Sequence, residues 1–304
     1  MKKATQQQTK AHNTRLILKT IYDEGRVSRA DVARLTGLTR TTVSDATAEL
    51  IEAGLIAEVG QGPSAGGKPP TFLSVVDDSR YLIGIDLADS EFRGAGVNLR
   101  GAIKHRLSLP IHDRDGEAAL SLVYQLVDRL VAAADSPILG IGIGTPGLVD
   151  AQQGVVRNAV NLDWHDLPLR DLLVERYRLP VHIANDSQVA GLAECTFGES
   201  KDVANLVVIK VGRGTGAGIV LNRQPYYGDG FGAGEIGHVV VEEGGELCRC
   251  GHRGCLETVT SSRGVARRAL AAARSDPHSS LHRAASSKEE VDSEVLLQAL
   301  EAGD

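Results

Sequence analysis

The apolar residues of this chain change their spacing near residue 80, and that change limits the folds open to it. Before it, they recur every three to four residues, as on the buried face of an amphipathic helix. After it, strand-like runs such as YLIGIDL and ILGIGIG alternate with amphipathic helical segments. The sequence therefore predicts a small, largely helical head followed by a mixed α/β body.

The head carries the start and stop signals of successive short helices. Residues 13–24 place apolar side chains on one face, and Gly25 ends that helix. Ser28 is predicted to cap a second helix that stops at Gly37, and Thr39 is predicted to cap a third. The third helix is expected to bury four apolar side chains, those of Val43, Ala46, Leu50 and Ile51.

The third helix has an arginine and hydroxyl residues at its start, after a short helix and a glycine turn. This order is typical of a helix-turn-helix. The side chains expected to face outward are Arg40, Thr41, Ser44, Asp45 and Thr47. Base edges in the major groove of DNA are expected to meet Arg40, Thr41, Thr42 and Ser44. The candidates for phosphate contacts are Arg15, Arg26 and Arg29.

A Gly/Pro-rich tract, GQGPSAGGKPP, follows the third helix between strand-like residues 55–59 and 71–75. One interpretation is a wing, a β-hairpin whose tip carries Lys68 toward the DNA backbone or minor groove. The other is an interdomain linker, since such tracts commonly are linkers. β-Branched residues on both sides favour the wing.

Charge is spread unevenly along the chain. Residues 1–70 carry 10 basic and 7 acidic side chains, whereas the whole chain has a net charge of −6. A basic head on an acidic body is compatible with a head that binds nucleic acid and a body that binds a different ligand. No apolar run approaches the ~20 residues that span a bilayer, and the basic N-terminus lacks a secretory apolar stretch. We therefore expect a cytoplasmic protein without membrane segments.

The body reads as three strands followed by alternating helices and strands, and a second such set begins near Asn205. The glycine-rich run from Gly212 to Gly218 has two open interpretations, an anion-binding loop or a tight hairpin between strands. It is not a Walker loop, because no Lys-Ser/Thr follows it. Residues 265–304 have helical spacing, and no strand is predicted among them.

A cluster of cysteines follows His238, and its members are Cys248, Cys250 and Cys255. One imidazole and three thiolates form a tetrahedral set that suits structural zinc. His252 competes with His238 as the nitrogen ligand, and the alternative to a metal is three buried free thiols. So few cysteines do not make a disulfide scaffold, so we expect a metal in a reducing compartment. Cys195 stands apart and is expected to be a packed core residue.

Polar side chains also stand in apolar surroundings: Asn185 and Asp186 at a strand end, Glu235 near His238, and Glu257 after the cysteines. In α/β sheets, ligands bind at the carboxyl ends of strands. Because a carboxylate can accept from two vicinal hydroxyls, this set predicts a polyhydroxylated ligand. Taken singly, each group also fits a helix cap or a solvated surface, and Asp186 could simply cap the following helix.

Five segments, GIGTPGLVD, IANDSQVAGLAE, VGRGTGAGIV, GAGEIGH and CRCGHRGCLE, together resemble the ROK family (repressor, open reading frame, kinase) of sugar kinases and sugar-responsive bacterial repressors. The resemblance covers about residues 13–260 and implies a two-lobed, actin-like (RNase H-like) α/β body. It implies a winged helix-turn-helix over 1–74, a first lobe over 75–198, and a second lobe with a zinc site over 199–304. The family continues beyond this point, so the second lobe is expected to be truncated.

The resemblance also implies roles for residues. Family sugar contacts map onto Asn185, Asp186, Glu235, His238 and Glu257, with the backbone of Gly147 nearby. Family zinc ligands map onto His238, Cys248, Cys250 and Cys255, which leaves His252 out. In the kinases the equivalent of Asp186 is the general base. His238 would bind the sugar through one ring nitrogen and zinc through the other.

One departure from the kinases guides the choice of function. They carry an Asp-x-Gly-Gly-Thr loop for the nucleotide phosphates, whereas this chain has Asp86-Leu87-Ala88-Asp89-Ser90. Side chains in place of the two glycines would keep the nucleotide phosphates away from the backbone amides. The Asp89 carboxylate would also repel a phosphate by its negative charge. We therefore predict a non-catalytic repressor, a homodimer on an inverted-repeat operator, with a monosaccharide effector such as xylose or glucose. The alternatives are an ATP-dependent sugar kinase and a module whose winged helix binds another protein.

Overall fold

The computed structural model describes residues 5–63, 69–87, 90–112, 114–282 and 293–303. Its contacts divide the chain into two compact units. The first comprises residues 1–82, 96–105 and 133–139, and the second comprises the remainder. The first unit thus adds two segments of the body to the head, while the predicted boundaries after residues 74 and 198 stay predictions. No helix in the described ranges is long and apolar enough to cross a membrane.

The head contains the helices α1 (Gln6–Glu24), α2 (Arg29–Thr36) and α3 (Arg40–Glu52). The predicted caps of α2 and α3 are confirmed, since the hydroxyls of Ser28 and Thr39 accept backbone N–H groups of the first turns. Helix α1 begins earlier than residue 13 because Thr5 and Gln8 form a reciprocal capping box.

The head has its own apolar core, to which α1, α2, α3 and the neighbouring strands all contribute. Helix α3 buries Val43, Ala46 and Leu50 as predicted, and Ile51 is half-buried. Thr47 was expected to face outward, but it is fully buried. Its hydroxyl donates to the Ser44 carbonyl at 3.1 Å and accepts from Arg29 Nε at 3.2 Å. Satisfied hydrogen bonds let this polar group enter the core, so the outward prediction is wrong.

The residues on the two sides of the Gly/Pro-rich tract form the paired strands of a wing. Strand β2 (Ile56–Gln61) pairs antiparallel with β3 (Thr71–Val75), and the short β1 (Val27–Ser28) pairs with the other edge of β3. The wing interpretation is therefore confirmed over the linker. Lys68, at the predicted tip, lies outside the described residues.

The further strands are β4 (Tyr81–Asp86), β5 (Glu91–Asn98), β6 (Ile103–Pro110), β7 (Ile138–Thr145), β8 (Leu148–Asp150), β9 (Val155–Ala159), β10 (Trp164–Leu167), β11 (Val181–Asn185), β12 (Leu206–Val211), β13 (Thr215–Leu221) and β14 (Gln224–Pro225). The further helices are α4 (Gly116–Ala133), α5 (Leu169–Tyr177), α6 (Asp186–Phe197), α7 (Glu257–Thr260), α8 (Ser262–Ala273) and α9 (Ser293–Glu301). This mixture confirms the predicted α/β class.

The main sheet has the strand order β11-β7-β4-β5-β6. Strands β11 and β7 run parallel, with Asn185 opposite Thr145 at their carboxyl ends. Helix α6 starts directly after β11. The predicted polar pair Asn185-Asp186 therefore stands at the edge where α/β sheets bind ligands.

A three-stranded antiparallel sheet in the order β10-β9-β8 was not predicted. Its strands have only three to five residues each, too few for a clear alternation of apolar and polar side chains. Asp150 is buried in this sheet, and its carboxylate accepts from Arg157 Nη2 at 3.0 Å.

The glycine-rich run forms the hairpin of the second interpretation. Strands β12 and β13 pair antiparallel up to Val211 opposite Thr215. Gly218 lies so close to α6 that a Cβ on it would stand 2.1 Å from the Ser187 carbonyl oxygen. Glycine is therefore required there because the helix backbone rests directly on the strand.

Arg100, in the turn between β5 and β6, joins two other segments of the first unit. Its Nη1 donates to the Tyr22 carbonyl at 2.6 Å, and its guanidinium lies 4.3 Å from the centre of the Tyr22 ring. Its Nε lies 3.2 Å from Asp77 Oδ1. Arg100 thus links the end of α1 to the segment that follows β3.

We expect Arg100→Ala to lower the free energy of unfolding by about 1–3 kcal/mol, because a charge-assisted hydrogen bond and a cation–π contact are lost. Urea denaturation followed by circular dichroism measures this change. Arg106→Ala, which removes an exposed arginine on β6, is the matched control. Equal stability of the two variants would contradict a linking role for Arg100.

Candidate functional site

Asn185 and Asp186 have different positions at the start of α6. Asn185 is the N-cap, and its Oδ1 accepts from the amides of Ser187 at 2.9 Å and Gln188 at 3.2 Å. The alternative in which Asp186 caps this helix is therefore wrong. Asn185 Nδ2 also donates to the Gly147 carbonyl at 3.0 Å. The amide thus positions two backbone segments, while the Asp186 carboxylate faces the cavity described below.

Gly147 has a backbone that only glycine adopts without strain. Its φ is +89°, and a Cβ on it would lie 2.1 Å from the Asn158 carbonyl oxygen. The backbone at Gly147 consequently reaches Asn185 with no side chain in the way.

Lys210 is a site residue that the sequence analysis missed. Its Nζ lies 2.6 Å from Asp186 Oδ2 and 3.9 Å from Asp86 Oδ1. The available signal was the alternation of β12, in which Lys210 shares a strand face with Leu206 and Val208. A lysine in phase with these apolar residues points toward an internal partner, which here is Asp186.

Two further carboxylates face the same cavity. Glu235 Oε2 lies 3.6 Å from His238 Nε2, and Glu257 Oε2 accepts from the Thr215 amide at 3.0 Å. Burial raises the pKa of Glu235, His238 opposes that rise, and the charges of Asp186 and Glu257 add to it. Asp186 and Glu257 are therefore both close enough to act on Glu235.

A cavity of about 920 Å³ unites the predicted ligand residues. All six lie on its wall: Gly147, Asn185, Asp186, Glu235, His238 and Glu257. The volume falls within the ~300–1,000 Å³ of small-molecule pockets. Carboxylates, an amide, a lysine and backbone groups around one space can hold a small ligand rich in hydroxyl groups.

His238 and the three cysteines form a compact group of donors. Their ligand atoms all lie within 4.8 Å of one another. Cys248 Sγ is 3.6 Å from His238 Nδ1, and Cys250 Sγ is 3.7 Å from Cys255 Sγ. A tetrahedron with metal–sulfur bonds of ~2.3 Å and metal–nitrogen bonds of ~2.0 Å has edges of about 3.5–3.8 Å. The group therefore has the dimensions to hold a metal ion, with the other His238 nitrogen toward Glu235.

His252 lies beside this group and not in it. Its Nδ1 is 3.5 Å from Cys250 Sγ, but the four mutually close donors comprise His238 and the cysteines. The structure thus favours His238 over His252 as the nitrogen donor. Cys195 is 2% exposed, as expected for a core residue.

The predicted DNA-contacting residues lie at the start of α3 in the head. Arg40, Thr41 and Ser44 are exposed, whereas Thr42 is half-buried with its hydroxyl 2.8 Å from that of Thr39. Arg15 and Arg26, the candidate phosphate contacts, are also exposed. The third candidate is engaged within the head, because Arg29 Nη1 donates to Glu58 Oε1 at 2.9 Å.

Comparisons with known families place two matches on the chain. The profile of the ROK family matches residues 82–302, and a profile described as winged helix-turn-helix DNA-binding matches residues 11–57.

The proteins similar to this chain include transcriptional regulators and a sugar kinase. A putative xylose repressor from Caldicellulosiruptor sp. (strain Rt8B.4) is 38% identical over 257 residues, which are 83% of this chain and 64% of that protein. The chain thus spans just under two thirds of this relative's length. The structure of a ROK family transcriptional regulator, a homologue of the E. coli MLC protein, matches with a TM-score of 0.78 at 30% identity, over 97% of this chain and 75% of that one. A ROK family glucokinase from Streptomyces griseus, solved with glucose and AMPPNP, matches with a TM-score of 0.61 at 29% identity, over 66% and 63%.

Proposed function

Because the chain belongs to the ROK family and carries a winged helix-turn-helix, we propose that it is a transcriptional repressor of sugar metabolism that binds a monosaccharide effector. The main support is that the six predicted ligand-binding residues, which are far apart in the sequence, all line one cavity. The same chain matches a winged helix-turn-helix DNA-binding profile in its head. The xylose repressor named above supports xylose as the first effector to test.

In this proposal the sugar hydroxyls donate to Asp186, Glu235 and Glu257 and are oriented by Asn185 and the backbone at Gly147. His238 contacts the sugar through Nε2, since its Nδ1 faces the cysteines. Lys210 Nζ lies 2.6 Å from Asp186 Oδ2 and holds that carboxylate in place. Sugar binding acts as a switch if the sugar binds more tightly to one of two states of the repressor, the one with high or the one with low affinity for DNA. The coupling free energy between sugar binding and DNA binding is typically roughly 1–3 kcal/mol.

The metal in the proposal is zinc, held by His238, Cys248, Cys250 and Cys255. Three thiolates and an imidazole suit this ion and leave no position open for a reacting water, so its role is structural. A bound ion would fix the orientation of the His238 ring and would connect the cysteine loop to the sugar site through this residue.

The proposed protein acts in the cytoplasm as a homodimer. A two-fold dimer presents two heads, so the operator would be an inverted repeat with half-sites separated by turns of the duplex. In each head Arg40, Thr41 and Ser44 would contact bases, with Lys68 on the wing.

We expect Arg40→Ala to weaken specific operator binding about tenfold or more, because a well-placed arginine–base contact contributes about 1–3 kcal/mol. An operator selected from a random duplex library, followed by fluorescence anisotropy, measures this affinity. Arg129→Ala removes an exposed arginine on α4 and is the control for charge alone. Unchanged affinity in Arg40→Ala would refute α3 as the reading helix. Absence of any salt-dependent binding to random DNA would favour the protein-interaction module.

The alternative is an ATP-dependent sugar kinase, which the likeness to the glucokinase favours. Against it stands the Asp86-Leu87-Ala88-Asp89-Ser90 segment in place of the phosphate loop, of which Ala88 and Asp89 lie outside the described residues. A coupled assay for ADP release across a sugar panel separates the two. Turnover near ~1 s⁻¹ would overturn the repressor, because enzymes commonly work at ~1–10³ s⁻¹.

A further inference from the structure

Arg29 is the first residue of α2, and its guanidinium group contacts two other elements of the head. Its Nε donates to the Thr47 hydroxyl of α3 at 3.2 Å, and its Nη1 donates to Glu58 Oε1 of β2 at 2.9 Å. Arg29 is one of the candidates for phosphate contacts, and the proposed function assigns it no other role. Because both contacts are made within the head, they indicate a different role.

The backbone that carries Arg29 is held by the wing sheet and by the cap of α2. Ser28, which precedes it, pairs with Phe72 of β3, and the Ser28 hydroxyl accepts from the Asp31 amide at 3.2 Å. The same hydroxyl donates to the Asp31 carboxylate at 2.7 Å. The Arg29 side chain therefore starts from a defined point between α2 and the wing sheet.

The contact with Thr47 reaches the part of α3 that is predicted to read DNA bases. Thr47 is fully buried, and its hydroxyl donates to the Ser44 carbonyl at 3.1 Å while it accepts from Arg29 Nε. Ser44 is exposed and is one of the predicted base contacts. The hydroxyl is thus used both as donor and as acceptor, and it connects Arg29 to the backbone of the reading helix.

The contact with Glu58 reaches the wing. Glu58 lies on β2 opposite Leu73 of β3, before the register of the two strands shifts between Glu58 and Gln61. About half of the Glu58 side chain is exposed (51%), and a third of the Arg29 side chain (33%). An exposed ion pair contributes little to stability. The contact is better explained by geometry, because a planar guanidinium group holds two partners at a fixed angle.

We propose that Arg29 is a positioning residue for DNA reading: it fixes the reading helix α3 relative to the wing strand β2 and does not contact a phosphate. The base-contacting side chains of α3 and the wing must meet the DNA together, so a change in their relative orientation weakens specific contacts first. Binding to random DNA goes mainly through phosphates and depends less on this orientation. This inference rests on the proposed function and refines its DNA-binding site.

Arg29→Lys separates the two roles because it keeps the positive charge and removes the planar guanidinium group. Lysine binds phosphate as a point charge, so a phosphate contact would largely survive the substitution. A positioning role would not, because an ammonium group cannot hold Thr47 and Glu58 in the same geometry. We expect affinity for the selected operator to fall about tenfold, the size of one lost base contact, while affinity for random duplex DNA stays unchanged. Fluorescence anisotropy of both duplexes provides the measurements.

Thr47→Val tests the same link without altering any charge. Valine has nearly the volume of this buried residue but offers Arg29 Nε no acceptor. Operator affinity is again expected to fall about tenfold. If Arg29 instead bound a phosphate, this variant would bind the operator like the parent chain, since phosphate binding depends on charge. Circular dichroism checks that the variants fold, and if Arg29→Lys does not fold, Thr47→Val decides alone.

The ratio of operator affinity to random-DNA affinity distinguishes positioning from a loss of folded protein, which lowers both affinities equally. The salt dependence distinguishes it from a phosphate contact, which contributes about 0.9 to the slope of log affinity against log salt concentration. Arg29→Gln is expected to keep the parent slope. Arg15→Gln, at an exposed candidate for a phosphate contact, is the matched control and is expected to lower the slope. A lower slope in Arg29→Gln, with equal losses on operator and random DNA, would overturn the proposal.

The parent chain separates this inference from the proposed function. If the parent selects an operator and either folded variant, Arg29→Lys or Thr47→Val, binds that operator as tightly, the positioning role is wrong and the repressor stands. If the parent selects no sequence from the random library, the repressor is wrong and the positioning role fails with it.

Discussion

Asp186→Ala is expected to abolish the response of operator binding to sugar while leaving the operator affinity itself unchanged. The Asp186 carboxylate is mostly buried at the cavity wall, and Lys210 Nζ lies 2.6 Å away. Each hydrogen bond from a sugar hydroxyl to the carboxylate contributes about 1.5–3 kcal/mol to the binding free energy. Because two such bonds are lost, sugar affinity is expected to fall roughly 100-fold or more. Fluorescence anisotropy of the labelled operator during a sugar titration measures both quantities.

Two companion variants make this result specific. Asp186→Asn keeps the shape and removes the charge, so partial loss of response is expected. Asp171→Ala removes an exposed carboxylate on α5, outside the cavity wall, and should respond to sugar like the parent chain. Normal release by sugar in Asp186→Ala would refute the cavity as the effector site.

Cys250→Ser has the second large expected effect, loss of the metal together with a lower melting temperature. The Cys250 thiolate is one of four donors within 4.8 Å, and binding of a structural metal contributes directly to the free energy of folding. About 1 kcal/mol shifts the melting temperature of a domain of this size by roughly 2–4 °C, so a fall of at least about 5 °C is expected. Calorimetry and elemental analysis of the purified chain provide the two measurements.

Two controls distinguish the metal from general damage to the fold. His252→Ala is expected to retain the metal, because His238 is the nitrogen donor of the compact group. Cys195→Ser alters a buried cysteine elsewhere and should retain the metal even if its stability falls. If elemental analysis finds no zinc in the parent chain, the zinc assignment is wrong. If His252→Ala loses the metal, His238 is not the sole nitrogen ligand.

Some features were predictable because their causes lie within a few residues of sequence. The caps Ser28 and Thr39 and the glycine ends of the helices are of this kind, and the predicted winged head and membership of the ROK family are confirmed. The cysteine cluster was readable too, since Cys248, Cys250 and Cys255 stand within eight residues of one another.

Other features had no local signal. Thr47 was predicted from spacing alone to face outward, but it enters the core because partners from α2 and from its own helix satisfy its hydroxyl. The strands β8, β9 and β10 are too short to show a period, so their sheet was missed.

The sequence by itself therefore determined which elements follow one another along the chain: a capped helical head, a wing, an α/β body and a cluster of potential metal ligands. Each of these could be predicted from the spacing of residue types over a short segment. Only the tertiary structure decided which distant charges meet. Lys210 reaches Asp186 across 24 positions, and Asn185, Glu235 and Glu257 share one cavity wall although they lie in three separate segments of the chain. Helix and strand signals act over a few residues, whereas electrostatic pairing acts through space, and that distance exists only once the chain has folded.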